Sequence, residues 1–242
     1  MENSIVVALT RQDTLRRQLD VVANNLANVN TTAFKGERLL FVEHLVPTSS
    51  SSPSIGGTLS LVRDIATTRD LAMGDLQETG GDLDLAIAGD GYLTVETPEG
   101  TRYTRNGRLQ LNENGELVTA HGLPVLAQGA RVQLGIDDTQ ITIARDGTIS
   151  SESRDLAKLD VVRFNQPQRL SAIGGGLMSA GDERPEAVVS PVVLQGKLEG
   201  SNVEPISEIE RLIELQRAYD QARQLVDRED DRIRKMLQTY AG

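Results

Sequence analysis

Apolar residues near the N-terminus recur at alternating spacings of four and three. The positions of this heptad seam are Met1, Ile5, Ala8, Leu15, Leu19, Val22, Leu26 and Val29, with Gln12 as its polar break. Such spacing places side chains along one stripe of a helix. No Pro or Gly occurs before Gly36, so the pattern predicts a helix from residue 3 to about residue 33, roughly 45 Å long. Lys35 and Gly36 supply a plausible stop.

A second heptad pattern lies near the C-terminus. Its residues, seven apart, are Leu212, Tyr219, Val226, Ile233 and Tyr240. Residues 207–239 contain no Pro or Gly, and Ser207 and Glu210 have the spacing of a capping box. The pattern predicts a helix about 50 Å long. Periodicity sustained beyond ~25 residues is typical of a coiled coil or a helical assembly.

Between these helices the pattern changes to short segments punctuated by turns. Residues 47–58, PTSSSSPSIGGT, have the composition of a linker. From about residue 73 to residue 200, Asn-Gly, Asp-Gly and Pro-Glu-Gly signals recur, with a hairpin predicted around Asp146-Gly147. We therefore expect an antiparallel β domain of the sandwich or barrel-like type.

These elements together predict an α+β fold. Long N- and C-terminal helices pair as a coiled-coil-like domain, and a central antiparallel all-β domain lies between them in sequence. The predicted parts are a terminal helical assembly domain (1–45 and 203–242), a Ser/Pro/Gly-rich linker and extended segment (46–72), and a central β domain (73–202). Because a lone helix pair is a marginal unit, we expect it to complete its burial against other copies.

The stretch VVANNLANVNTTAFKG, residues 21–36, combines helical spacing with asparagines that disfavour helix interiors. On a helical projection, Asn24, Asn25 and Asn28 form a second stripe beside the seam. No charged residue occurs between Asp20 and Lys35. Neutral amides bond between packed helices without the desolvation cost of ions. The Asn stripe therefore predicts contact with neighbouring copies.

Charge and composition narrow the possible functions. The 242-residue chain has a net charge of −10, which argues against nucleic-acid binding through a basic face. It has no cysteine, which excludes disulfides, thiolate chemistry and Cys-based zinc sites. No run approaches the ~20 apolar residues of a membrane span. The N-terminus is not typical of a secretory signal, so the ordinary routes predict a cytoplasmic protein.

Catalytic and metal-binding patterns were sought without success. His44 and His121 do not have metal-ligand spacing. The sequence GGDLDLAIAGDGY resembles a calcium loop at a glance, but Ala86 and Ile87 fall where ligands are needed, so its aspartates are read as turn residues. The glycines of IGGGLMSAG are followed by neither a helical pattern nor Lys, which indicates a loop. We predict no catalytic, cofactor or metal site, no small-molecule substrate, and no enzyme activity.

Three stretches resemble the bacterial flagellar rod, hook and hook-associated axial proteins. LDVVANNLANVNTTAFKGER is similar to their N-terminal signature. DLDLAIAGDGYLTVETPEGTRYTRNGRLQLNENGELVTAHGLPVL is similar to the central block of the rod and hook group. VLQGKLEGSNVEPISEIERLIELQRAYDQARQLV is similar to their C-terminal signature. The resemblance covers nearly all of the chain. The length, the short Ser-rich linker and KLEGSNVEPI are most similar to the proximal rod proteins, with the distal rod proteins as the rival.

The resemblance implies a structural rod subunit. Such proteins are exported unfolded through the flagellar type III apparatus without a cleaved signal peptide, which replaces the cytoplasmic expectation. They polymerise in the periplasm, with other copies and other rod proteins, into a hollow shaft that transmits torque from motor to hook. The alternatives are a non-flagellar filament or phage-tail-like assembly protein, and a β-scaffold enzyme with helical oligomerisation arms.

The seam and the Asn stripe together form the predicted assembly interface. Its residues are Leu15, Leu19, Val22, Asn24, Asn25, Leu26, Asn28, Val29, Leu212, Tyr219, Val226 and Ile233. One departure from the resembled group falls beside it, because that group usually has Gly where this chain has Ala33. Positive φ would strain an alanine by about 1 kcal/mol or more. Ala33 thus predicts either a right-handed turn or a helix one turn longer.

Overall fold

The structure is a computed structural model that describes residues 2–47, 58–135, 138, 140–152 and 154–241. The chain divides into two compact units. The helix unit contains residues 1–29, 36–70 and 203–242, and the β unit contains residues 30–35 and 71–202. Each unit is therefore built from segments that are far apart in sequence.

Two long helices and one strand pair make up the helix unit. Its elements are α1 (Glu2–Ala27), β1 (Glu37–Pro47), β2 (Thr58–Arg69) and α2 (Pro205–Ala241). Helix α1 packs against α2 and also contacts both strands. The strands are antiparallel, with Glu37 opposite Arg69 and Pro47 opposite Thr58. The predicted α+β fold with two terminal helices is confirmed.

Helix α1 ends at Ala27, about six residues earlier than its apolar spacing predicts. The Asn28 backbone N–H donates to the carbonyls of Asn24 and Asn25, at 3.2 and 3.1 Å, and its side-chain amide donates to the Asn24 carbonyl at 2.9 Å. The bond to Asn24 is the last α-helical one, whereas the bond to Asn25 and the side-chain bond tighten the turn and compete with helix continuation, as is usual for asparagine. The apolar seam at Val29 thus continues past the helix itself.

Position 33 differs from both predicted conformations. Ala33 has φ of +58°, so the backbone there is left-handed, and the helix does not extend to it. Its backbone N–H donates to the Glu199 carbonyl at 2.8 Å, and the Phe34 N–H donates to Thr31. The tertiary hydrogen bond and the turn hold a conformation that alanine disfavours.

Residues 37–45 were expected in the helical part of the chain and residues 58–69 in an extended connecting segment. The structure pairs residues 37–47 with residues 58–69 as β1 and β2. ERLLFVEHLVP is rich in residues that favour strands, and residues 58–61, TLSL, alternate polar and apolar positions. The Ser-rich segment 48–57 lies outside the described residues, as do the side chains of Ile5, His44 and Tyr240.

The β unit consists of short strands. They are β3 (Leu76–Glu78), β4 (Leu85–Ala88), β5 (Tyr92–Thr97), β6 (Gly100–Thr104), β7 (Leu109–Leu111), β8 (Leu117–Thr119), β9 (Leu126–Ala127), β10 (Ala130–Arg131), β11 (Thr142–Ile143), β12 (Thr148–Ser150), β13 (Asp155–Lys158), β14 (Val161–Arg163), β15 (Ser171–Gly174), β16 (Leu177–Ser179), β17 (Glu186–Ala187), β18 (Val192–Gln195) and β19 (Lys197–Glu199). A 3-10 helix, Pro167–Arg169, precedes β15. The described pairings are antiparallel, and the largest sheet has the order β15-β16-β6-β5-β14-β17.

Turn chemistry predicted several of these connections. Strands β5 and β6 form a hairpin across the Pro-Glu-Gly turn, and β11 and β12 form the hairpin expected around Asp146-Gly147. The Gly147 φ of +85° shows why glycine occupies that turn. The glycine-rich stretch 173–181 lies in the β15–β16 hairpin, where its run of glycines makes the turn.

Aliphatic residues fill the main core of the β unit. Fully buried members include Leu85, Leu93, Val95, Leu117, Val125, Ile149 and Val193. A smaller cluster surrounds Phe164, whose ring meets those of Tyr103 and Tyr92 edge-to-face at centroid distances of 4.8 and 5.7 Å. Three of the seven aromatic side chains of the chain therefore pack together in one cluster.

Candidate assembly surfaces

The predicted seam lies in the interior of the helix unit. Ala8, Leu15 and Val22 of α1 are buried, as is Ala222 of α2. The remaining described seam residues are half-buried: Leu19, Leu26, Val29, Leu212, Tyr219, Val226 and Ile233. The amide of Gln12, the polar break in the seam, donates to the Tyr219 hydroxyl at 3.1 Å. The seam side chains thus serve contact within the subunit.

Asn25 links three elements of the helix unit. Its side chain is 2% exposed. Its amide nitrogen donates to the Glu37 carbonyl at 2.9 Å, and its amide oxygen accepts from the Glu37 N–H at 2.9 Å. The same nitrogen lies 3.4 Å from a Glu208 carboxylate oxygen at the start of α2. The side chain therefore pairs with the first residue of β1 as another strand would.

The other predicted asparagines have different surroundings. Asn24 is exposed and Asn28 is half-buried, and the Asn28 amide donates to the Asn24 side-chain oxygen at 3.1 Å. Asn25 is thus committed within the subunit. Whether Asn24 and Asn28 contact other copies stays a prediction.

A second apolar stripe on α2 is exposed. Ile206, Ile209 and Ile213 are 73, 44 and 45% exposed, and their spacing places them on one face. Glu210 and Glu214, both exposed, follow one edge of this face. A contiguous apolar surface rimmed by charge is typical of an interaction site. Sequence reasoning missed this stripe because the longer seam on α2 dominated the periodicity.

The β unit contains a buried charge cluster around Glu199, whose side chain is 1% exposed. One carboxylate oxygen accepts from Lys35 Nζ at 2.5 Å and from the Gly74 N–H at 3.2 Å. The other accepts from Arg105 Nε at 2.9 Å. Lys35 Nζ also donates to the Ala72 carbonyl at 2.6 Å. The cluster joins segments from three distant parts of the chain.

Backbone carbonyls complete the cluster. The terminal nitrogens of Arg105 donate to Gly91 and Gly89, each at 3.0 Å, and to Ile87 at 3.3 Å. A Cβ on Gly74 would lie 2.2 Å from the Gly200 carbonyl oxygen, so only glycine allows this close approach. A satisfied buried ion cluster holds its segments in one arrangement, because removal of one partner leaves an uncompensated charge.

Sequence reasoning did not nominate this cluster. Lys35 was assigned only to a helix stop, and Arg105 was not singled out. The signal that could have pointed to the cluster is Glu199, a charged residue that directly follows the buried Leu198. A buried glutamate needs a partner, but neither partner is near it in sequence.

The histidine and aspartate residues for which no metal or catalytic role was predicted have ordinary structural surroundings. Asp84 accepts a hydrogen bond from the Thr79 hydroxyl at 2.6 Å, and His121 is an exposed residue in the turn before Gly122. Among the described residues, no group of three or more His, Asp or Glu side chains has the geometry to hold a metal ion. No helix in the described part of the chain is long and apolar enough to cross a membrane.

Comparison with known proteins shows which protein family has a similar sequence. Residues 5–35 match the family described as flagella basal body rod protein. Residues 86–151 match the D1 domain of the flagellar hook protein FlgE/F/G, and residues 194–239 match the C-terminal part of the flagellar basal body rod FlgEFG protein. The flagellar basal-body rod protein FlgF of Caulobacter vibrioides is 39% identical over 231 residues, 94% of this chain and 93% of that protein.

The chain belongs to the flagellar basal-body rod protein family. FlgF of Mesorhizobium japonicum is 34% identical and covers 98% of both chains. FlgG of Buchnera aphidicola subsp. Acyrthosiphon pisum is 31% identical, over 97% of this chain and 98% of that one. The chain is therefore a structural component of the flagellar basal body rod, and members of this family are not enzymes.

The family matches cover the sites described above. The rod-protein match includes most of α1, with Asn25 and Lys35, and the C-terminal match includes Glu199 and most of α2. The D1 match includes Arg105. The buried charge cluster thus joins residues from all three matched regions of this rod protein.

Proposed function

We propose that this rod protein polymerises through its terminal helices into the hollow periplasmic shaft that transmits torque from motor to hook. The exposed Ile206, Ile209 and Ile213 stripe carries the proposal. The seam already pairs α1 with α2, so this second stripe needs another partner, and a filament supplies one. The predicted interface residues act in two ways, with the seam forming the helix pair and Asn24 and Asn28 facing other copies.

Within the family we propose the proximal, FlgF-like position. The two FlgF relatives are 39 and 34% identical to this chain, against 31% for the Buchnera FlgG. The other rod proteins are its proposed axial partners. Labelling the chain with a small epitope tag and imaging isolated basal bodies tests this position. A tag at the hook-facing end of the rod would contradict it.

We also propose export through the flagellar type III apparatus without cleavage of the N-terminal segment. Helix α1 supports this, since Leu15 and Val22 are buried in the helix unit and cleavage would remove them. Mass spectrometry of the subunit from isolated basal bodies would find α1 intact. A mature chain that begins after Ala27 would overturn the proposal.

A clean deletion tests the rod function itself. Cells that lack this chain are expected to form neither hooks nor filaments and to be non-motile, and a plasmid copy should restore both structures. Swimming by the deletion strain in soft agar would refute the rod role. Electron microscopy of the same cells shows whether the defect lies in the rod or further out.

A further inference from the structure

A groove of about 320 Å³ lies between α1 and α2. Its floor contains small side chains, Ala8 from α1 with Ala218 and Ala222 from α2, and Leu225 is 50% exposed beside them. Small residues let another helix approach closely. Gln221 and Gln224 also line the groove, so small and apolar side chains alternate with polar ones in a space that can accept a helix ridge.

Positive charge borders the groove. Arg11 of α1 and Arg228 of α2 are both exposed and line it. Within the described part of the chain, neither guanidinium forms an ion pair, although neighbouring helix residues such as Arg17 with Asp13 and Arg234 with Asp230 do. The two arginines are thus available to a carboxylate from outside the subunit.

The first turns of α2 have the opposite character. With Ile206 placed at 0°, Ile209 and Ile213 lie at about 300° and 340°, and Glu210 and Glu214 lie at about 40° and 80°. An apolar ridge thus has two carboxylates along one edge. Neither carboxylate is ion-paired among the described residues. We call Ile206, Ile209, Ile213, Glu210 and Glu214 the ridge.

We propose that the ridge of one copy docks into the groove of a second copy of this chain. The inference rests on the proposed rod function and names the surfaces through which α2 acts. Apolar ridge meets apolar floor, and Glu210 and Glu214 meet Arg11 and Arg228. From Ile206 to Ile213 and from Ala218 to Leu225 the helix advances by the same seven residues, about 10.5 Å.

The contact is heterologous because ridge and groove are different surfaces of one chain. Each docked copy still presents a free groove or a free ridge, so the assembly extends rather than stopping at a dimer. Both surfaces lie within the helix unit, so the contact does not depend on the position of the β unit. Complementary charge selects this pairing over ridge against ridge.

Charge reversal tests the pairing. One full-length variant has a reversed groove, Arg11→Glu with Arg228→Glu, and another a reversed ridge, Glu210→Arg with Glu214→Arg. Each alone brings like charges together, so we expect self-association, measured by sedimentation at low salt, to weaken about tenfold or more. An equimolar mixture should recover association, and so should a chain with all four substitutions. No recovery in either case would overturn the proposal.

The absence of native cysteine permits a direct contact test. Full-length chain with Ile209→Cys and Leu225→Cys, oxidised in isolated basal bodies and in concentrated solution, should give cross-linked dimers and longer oligomers. Either single substitution should stay monomeric. Dimers from Ile209→Cys alone would indicate a symmetric ridge-to-ridge contact and contradict the proposal. If the double variant fails to assemble, Ile213→Cys with Ala218→Cys provides a second pair.

Folding and function are separated by controls. All four reversed residues are exposed, so circular dichroism and the melting temperature should match those of the unmodified chain. If the deletion strain is non-motile but the cysteine variants never cross-link between ridge and groove, this contact is rejected and the rod function stands. If the variants do cross-link but the deletion strain is still motile, the rod function is rejected instead.

Discussion

Asn25 shows at the scale of the residue why an amphipathic helix accepts a poor helix former. Its amide satisfies both backbone groups of Glu37, where β1 begins. Leucine at this position would suit the helix better but would leave a buried N–H and C=O without partners. The asparagine at this helix position is therefore explained by its hydrogen bonds to the first residue of β1.

Replacing Asn25 by leucine should weaken the helix unit without abolishing its helices. We expect the free energy of unfolding to fall by about 2–3 kcal/mol, because two backbone groups lose their hydrogen bonds. Urea denaturation followed by circular dichroism measures the loss, and rod assembly should be impaired. The exposed Asn24→Ala is the matched control, expected to change stability by less than about 0.5 kcal/mol. Wild-type stability and motility of Asn25→Leu would remove this role.

Ala33→Gly should stabilise the protein. Glycine adopts φ of +58° without strain from a Cβ, so the free energy of unfolding should rise by about 1 kcal/mol. The exposed Ala172→Gly in strand β15 has ordinary backbone geometry and should lower stability by about 0.5–1 kcal/mol. A chemical denaturation series compares the two, and a loss of stability in both would show that position 33 is unstrained.

Glu199→Gln should be strongly destabilising. It retains the shape of the side chain but leaves Lys35 and Arg105 buried without their counter-charge, at a cost of about 3–5 kcal/mol. Glu186→Gln breaks an exposed pair with Arg163, 3.3 Å apart, and should cost less than about 1 kcal/mol. Thermal unfolding of both variants supplies the comparison. Equal effects would mean that the buried cluster contributes no more than a surface pair.

At the scale of the element, α2 has two apolar surfaces, the seam that it shares with α1 and the ridge. The seam is occupied within the subunit, and even its polar break is matched, by Tyr219 to Gln12. The ridge on α2 remains exposed. The helix pair thus buries the seam and leaves the ridge exposed, and a filament subunit requires such an exposed surface.

A charge in the seam should abolish assembly. Leu26→Asp places a carboxylate among half-buried apolar side chains, and we expect loss of rod formation and of at least about 2 kcal/mol of stability. Ala23→Asp puts the same charge on the exposed face of α1 and should remain motile unless that face contacts another copy. Swimming assays and circular dichroism separate the two variants. Normal motility with Leu26→Asp would show that the seam is dispensable.

At the scale of the whole molecule, the chain divides into two units whose described side chains are buried to different extents. The β unit has a large aliphatic core and the Glu199 cluster. Among the described side chains of the helix unit few are buried, and these include Ala8, Leu15 and Val22 of the seam. In the assembly proposed above, the helix unit gains further burial against other copies.

Limited proteolysis of dilute full-length protein should reveal the division. We expect a resistant fragment whose ends lie near residues 60 and 200, with early cuts in both terminal helices, since few buried contacts protect them. Mass spectrometry identifies the cleavage sites. Survival of both terminal segments in the dilute monomer would contradict the expectation that they gain order on assembly.

Much of this protein followed from local pattern. Heptad spacing predicted both helices, and turn chemistry predicted the hairpins around Asp146-Gly147 and the Pro-Glu-Gly turn, because helix and turn preferences depend on residues close in sequence. The signatures at residues 19–38 and 193–226 also indicated the family. These features need no knowledge of distant contacts.

Other features were decided only by tertiary structure. The end of α1, the pairing of β1 with β2 and the left-handed Ala33 depend on partners that pattern does not show. Glu199 bonds Lys35 and Arg105, which are 164 and 94 residues away. A buried charge requires a partner of opposite charge. Which residue becomes that partner depends on contacts between segments far apart in sequence, and local sequence preferences do not encode those contacts.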